Sequence, residues 1–200
     1  MNKLGIWFAS LLGAMIGVSC QADKAMQTEN KEQTVLENIL SRKSVRRYIA
    51  DKPVEKEKVE QLLRAGMAAP SGKDQRPWEF VVVDERALLD AMAAQLPYAK
   101  MLAGAPMAIV VCADERKSPY WYLDCSAATQ NILLAAESLG LGAVWTATYP
   151  YEDRMKVVTD VLNTPSYVKS LCVIPIGYPM GEQTAKDKWD ETRIHYNKWE

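Results

Sequence analysis

Residues 107–114, MAIVVCAD, set the tightest limit on the fold. Apolar residues fill consecutive positions there, not every second one. A strand made from them is buried on both faces and needs cover from two sides. Helices supply that cover. Apolar residues fall at helical spacing at Val35, Leu36, Ile39 and Leu40, then at Val59, Leu62, Leu63 and Met67 after Pro53. Helical stretches also read over 85–96 (ERALLDAMAAQL), 120–139 (YWYLDCSAATQNILLAAESL) and 151–162 (YEDRMKVVTDVL). The third of these three is preceded by GLGAVWTATYP, which gives a turn and a short strand, and strands also read at 78–84 and 170–179. The order helix, helix, strand, helix, strand, long helix, strand, helix, strand describes an α+β domain. No G-x-G-x-x-G follows a strand and there is no Walker lysine motif, so neither a Rossmann unit nor a P-loop is present. The helix over 120–139 is apolar on most sides, which makes it central to the core or part of an interface.

A chain of 200 residues that is 48% hydrophobic and 24% charged suffices for one domain with a sizeable core. Its formal net charge of −1 excludes general binding to polyanions such as nucleic acid, so an anion site must be local. The first twenty residues stand apart. Lys3 precedes an uncharged run from Leu4 to Val18, too short for a membrane span and suited to a signal peptide. IGVSC, ending at Cys20, resembles a bacterial lipoprotein signal, although Gly17 stands where such signals usually have Leu. An ordinary secretory signal or an uncleaved anchor is the competing view. The expected organisation is a signal peptide over 1–20, a polar tether over 21–34 and a folded domain over 35–200. That makes the protein an exported lipoprotein anchored at Cys20, or a cytoplasmic one if the leader is misread. Cys112, Cys125 and Cys172 lie in apolar surroundings and are expected to be buried thiols. A single histidine, His195, leaves little scope for a metal site or for histidine-based nucleophilic catalysis.

The stretch SRKSVRRY, 41–48, packs Arg42, Lys43, Arg46 and Arg47 into eight positions of a chain otherwise near charge balance. A phosphate monoester offers nearly two negative charges and several acceptor oxygens. Arg supplies a planar fork, Lys a point charge and Ser a hydroxyl, so Arg42, Lys43 and Ser44 make a phosphate cradle. A solvated charged loop at a helix C-terminus is the alternative.

Two further stretches weigh in favour of the cradle: APSGKDQRPWEFVVV at 69–83 and GYPMGEQTAKDKW at 177–189. Taken with SRKSVRRY and ESLGLGAVWTATYP, they resemble the FMN-dependent nitroreductase family over residues 36–200. The resemblance implies a nitroreductase-like α+β fold, with a mixed, mainly antiparallel central sheet surrounded by helices, in a homodimer with FMN between subunits. It implies that Arg42 and Ser44, with Lys43 beside them, hold the FMN phosphate together with Lys186 and Lys188, and that Arg46 lies near N1 and O2 of the flavin. Pro70, Ser71 and Gly72 would meet the flavin bound mainly by the other subunit, and a backbone N–H at Thr146 or Ala147 would approach N5. Asp74 stands where many relatives have Asn, and Arg76 where many have Gln. Asp74 could accept from flavin N3–H but not donate to O4; a cap with no flavin contact is its other reading. Trp78, Trp121, Tyr122 and Trp145 either stack on substrate or fill the core.

The expected activity is hydride transfer from NAD(P)H through FMN to nitroaromatic, quinone or similar acceptors by a ping-pong mechanism, with no side-chain acid or base required. Two competitors stand beside it. One is an exported flavin-binding or electron-transfer protein without nicotinamide turnover. The other is a non-enzymatic lipoprotein that binds phosphorylated ligands.

Overall fold

The computed structural model describes residues 34–199. The leader, with Cys20, and most of the tether lie outside the described residues. A helix runs over 34–41, and residues from Ser41 onward form one compact unit. Among the described residues no helix is long and apolar enough to cross a membrane.

Five strands build one sheet: β1 (Trp78–Val83), β2 (Met107–Asp114), β3 (Gly142–Ala143), β4 (Thr146–Ala147) and β5 (Val168–Gly177). The order is β1-β2-β5, and the far edge of β5 pairs with β3 near its end and with β4 nearer its middle. All four strand pairings are antiparallel, and one isolated parallel bridge joins Ser44 to Ala143. Where the sequence suggested one short strand in 140–150, the edge carries two, separated by Val144 and Trp145.

Every residue of β2 is buried, as its unbroken apolar run requires. One face, with Ile109, Val111, Ile174 and Ile176, packs on Leu62 of helix α1 (Lys56–Met67) and on Cys125, Ala128 and Ile132 of α3 (Trp121–Ser138). The other face, with Ala108, Val110 and Val173, packs on Leu89 and Met92 of α2 (Arg86–Gln95) and on Val158 of α4 (Glu152–Leu162). Two helices on each face thus enclose the sheet. One expectation needs correction. Met67 lies at the end of α1 with 55% of its surface exposed, so it does not join the buried face of Val59, Leu62 and Leu63. Leu123 of α3 is also 55% exposed, so this chain covers one face of the long helix and not the whole of it.

The segment that follows the first helix is an extended strap laid against the edge of the sheet. Val45 N–H donates to Ala143 O at 3.0 Å, and Ile49 N–H donates to Tyr178 O at 2.9 Å. Val45 and Tyr48 are buried, while Arg46 and Arg47 between them face solvent. The Tyr48 hydroxyl lies 2.6 Å from Val45 O and 3.1 Å from Pro175 O. Burial pushes the ionisation of this phenol well above its ordinary value, so it stays a neutral donor. Pro175 sits inside β5, where a missing N–H normally breaks the ladder. The amide nitrogen and carbonyl of one residue point to the same side of a strand, and Pro175 O points at Tyr48. The missing donor therefore falls in the gap between β3 and β4, where no strand asks for it.

Two glycines allow this close approach. A Cβ on Gly142 would run into Val45 Cγ1, and one on Gly177 would lie 2.5 Å from Pro106 Cδ and 3.2 Å from the Tyr48 ring. Gly142→Ala should therefore lower unfolding stability by about 1–3 kcal/mol, the usual cost of overpacking. Urea denaturation checks this, and an unchanged midpoint would show that the strap yields without loss.

Candidate functional site

The strap and the arm that follows β5 build the site together. Side chains of an extended chain point to opposite sides in turn, so residues two apart share a side. Arg42, Ser44 and Arg46 follow that spacing in the strap, and Thr184, Lys186 and Lys188 follow it in the arm after β5. With Lys43 they line one cleft of about 230 Å3. The lining holds five cations and two hydroxyls and no carboxylate.

Backbone contacts hold the two segments together. Met180 N–H donates to Arg47 O at 2.9 Å, and Arg46 N–H donates to Gln183 Oε1 at 2.9 Å. The Gln183 amide donates back to Arg47 O at 3.2 Å, and the Arg47 guanidinium donates to Glu182 O at 3.2 Å. None of these four contacts uses a charged side chain of the cleft lining. Of the five cations, only Lys43 meets a carboxylate among the described residues: its Nζ lies 2.7 Å from Glu137 Oε1, near the C-terminus of α3. Part of the charge of Lys43 is thereby spent inside the protein, which sets it apart from Arg42, Arg46, Lys186 and Lys188. Sequence reasoning missed Thr184, Gln183 and Glu137. The alternation 184, 186, 188 signals Thr184; nothing local signals the other two.

The remaining expected residues lie outside this cleft. Pro70, Ser71, Gly72 and Asp74 belong to the loop between α1 and β1. There Arg76 Nε and Nη2 grip the Asp74 carboxylate at 2.7 and 2.5 Å, and the bound guanidinium holds the Asp74 carboxyl below its usual range. The Asp74 oxygens thus already have a cationic donor. Thr146 is buried with its hydroxyl donating to Val173 O, while Ala147 beside it is exposed. Trp78 and Trp121 are buried in the interior, while Trp145 and Tyr122, which stacks on Tyr149, are half-buried at its margin. Cys112, Cys125 and Cys172 are buried free thiols, and burial pushes Cys112 and Cys172 up to about 12. They are unreactive as nucleophiles.

A larger groove of about 710 Å3 runs beside α4 and the start of β5. Its lysines are each neutralised, Lys156 by Asp160 at 2.8 Å and Lys169 by Glu115 at 3.5 Å. It has no surplus of either charge comparable to that of the smaller cleft.

The profile of the nitroreductase family matches residues 39–178. A candidate NADH dehydrogenase/NAD(P)H nitroreductase of Methanothermobacter thermautotrophicus is 46% identical, over 82% of this chain and 87% of its own length. The crystal structure of a protein so described from Bacteroides thetaiotaomicron is 64% identical, with a TM-score of 0.82 over 83% of this chain and 98% of that one. An FMN-dependent nitroreductase of Clostridium difficile is 34% identical, with a TM-score of 0.78 over 82% of this chain and 99% of that one.

The Lys43–Glu137 pair gives the cleft a measurable property. Glu137→Gln removes a negative charge next to the cleft and frees the ammonium. Two unit charges about 7 Å apart in water interact by roughly 0.6 kcal/mol, so an inorganic phosphate dianion should gain about 1.2 kcal/mol and bind roughly eightfold more tightly at low ionic strength. The gain should vanish at high salt. Calorimetric titration at two salt concentrations checks this, and weaker binding by the variant would show that Glu137 is needed to aim Lys43.

Proposed function

Because the chain belongs to the nitroreductase family, we propose that it is an FMN-dependent oxidoreductase whose cationic cleft holds the cofactor phosphate. The observation that carries this reading is the cleft itself: five cations and two hydroxyls without a carboxylate, drawn from opposite ends of the domain. That donor set suits a phosphate dianion, which takes bidentate bonds from Arg and point-charge contacts from Lys. FMN, when bound, supplies hydride transfer between NAD(P)H and an acceptor such as a nitroaromatic or a quinone, one substrate replacing the other in ping-pong order.

The roles of the chain's own residues follow. Arg42, Ser44, Lys186 and Lys188 bind the phosphate, with Lys43 balanced between it and Glu137. Arg46 shares the cleft and is assigned to the N1–O2 side, where a fixed cation favours negative charge. Thr146 and Ala147 present backbone to N5. The loop at Pro70, Ser71 and Gly72 serves the site of a second copy in a homodimer. Exposed Met67 and Leu123, which lie on the two helices of one face, support such pairing. Asp74 takes part only together with Arg76. From the leader sequence alone we also propose export and lipidation at Cys20; labelled fatty acid should enter the wild type and not Cys20→Ala.

Purified protein should be yellow, and NADH or NADPH should bleach it under anaerobic conditions. Losing a charged hydrogen bond to phosphate costs about 1.5–3 kcal/mol, so Arg42→Ala should raise the FMN dissociation constant roughly 10- to 100-fold. Arg46→Ala should retain more flavin but with a lower midpoint potential. Fluorescence titration and spectroelectrochemistry read these values. Folded, colourless protein that ignores added FMN would overturn the assignment. Yellow protein bleached by neither nucleotide would establish the electron-transfer alternative.

A further inference from the structure

The loop between α1 and β1 is held in a conformation that side-chain-bearing residues rarely adopt. Lys73, Asp74 and Arg76 have φ values of 54°, 55° and 46°, all left-handed, and none is glycine. Such a cluster persists only when its surroundings impose it. Inside the loop, Arg76 N–H donates to Ser71 Oγ at 3.0 Å and Asp74 N–H donates to Ser71 O at 3.1 Å. These bonds give the loop its shape but do not attach it to the domain.

Asp124 makes the attachment. It lies in the first turn of α3, and only 5% of its surface is exposed. Its Oδ1 accepts from Gly72 N–H at 2.8 Å, and its Oδ2 accepts from the Ser118 hydroxyl at 3.2 Å. Ser118 Oγ in turn accepts from Tyr120 N–H at 3.0 Å. Among the described residues no cation pairs with Asp124, so this buried carboxylate rests on two neutral donors and on the favourable end of the α3 dipole. Burying a carboxylate in this way is unfavourable unless its bonds are made, and both bonds reach out of the helix to the flanking loops. Tyr120 completes the clamp: a Cβ on Gly72 would stand 2.6 Å from its ring, so the ring lies directly on the loop backbone.

We propose that Asp124 is the positioning residue of the site: through Gly72 it fixes the 71–76 loop in the pose offered to the ring end of bound FMN. This rests on the cofactor reading above. The phosphate end is set by charge and the ring end by a strained loop, and Asp124 governs only the second.

The test compares Asp124→Ala, Asp124→Asn and the wild type. Asp124→Ala should speed amide exchange at Gly72 by at least about tenfold in flavin-free protein, because that N–H loses its acceptor. It should weaken FMN binding about tenfold yet leave the affinity for inorganic phosphate unchanged. Asp124→Asn keeps an acceptor for Gly72 and should restore both values. Unchanged Gly72 exchange in Asp124→Ala overturns the proposal. Faster exchange with unaltered FMN affinity also overturns it and leaves the cofactor reading standing. No FMN uptake by the wild type overturns both. Should Asp124→Ala fail to fold, Gly72→Ala displaces the loop from the other side. It should likewise weaken FMN and not phosphate, and equal affinities for FMN would again refute the role.

Discussion

The strap from Ser44 to Ile49 is anchored by two buried side chains, Val45 and Tyr48, driven against an edge that glycine leaves open at Gly142 and Gly177. The rest of the cleft depends on that contact. With Val45 turned inward, its neighbours Ser44 and Arg46 turn toward the cleft. The arm after β5 then lies beside the strap, through Ile49–Tyr178 and Arg47–Met180, and brings Thr184, Lys186 and Lys188 to the same side. The apolar anchors are strongly bound and the cations only loosely, which is the order a binding site needs. The fold fixes the backbone first, and the charges follow from it.

Gathering cations is unfavourable on its own. Like charges about 7 Å apart in water repel by roughly 0.6 kcal/mol per pair, so several such pairs amount to a few kcal/mol. Three features make this tolerable. Arg46, Lys186 and Lys188 are exposed, the chain as a whole is close to neutral at −1, and Glu137 offsets Lys43. What remains is a local surplus of positive charge that a dianion relieves. This surplus lies where strap and arm meet, in contrast to the larger groove, where each lysine is already paired.

Much of this was legible in the sequence because it depends on neighbours along the chain. The unbroken MAIVVCAD run predicted a doubly covered strand, and β2 is that strand. The cationic cluster of the strap and the KDK of the arm were visible as charge, and the cleft gathers both. What stayed hidden depends on residues far apart in sequence. Nothing near Lys43 announces Glu137, and nothing near Gly72 announces Asp124. The edge strands β3 and β4 are two residues each, too short for any periodicity. Met67 and Leu123 mark a different limit: helical spacing shows which face is apolar, but not whether the chain itself covers it.

Asp74 and Arg76 show how far a pairwise view alters a residue-by-residue one. Read singly, Asp74 suggests a direct contact to the flavin ring. In the structure Asp74 and Arg76 bind each other in a fork across a left-handed bend. The pair is exposed, with side chains 72% and 65% accessible, so it adds little to stability. Its effect is geometric. Asp124 ties the loop to α3 at one end, and the Asp74–Arg76 clasp closes it at the other. Between them the backbone at 73–75 has little freedom left, and a rigid loop can present its donors to a ligand without first having to be ordered.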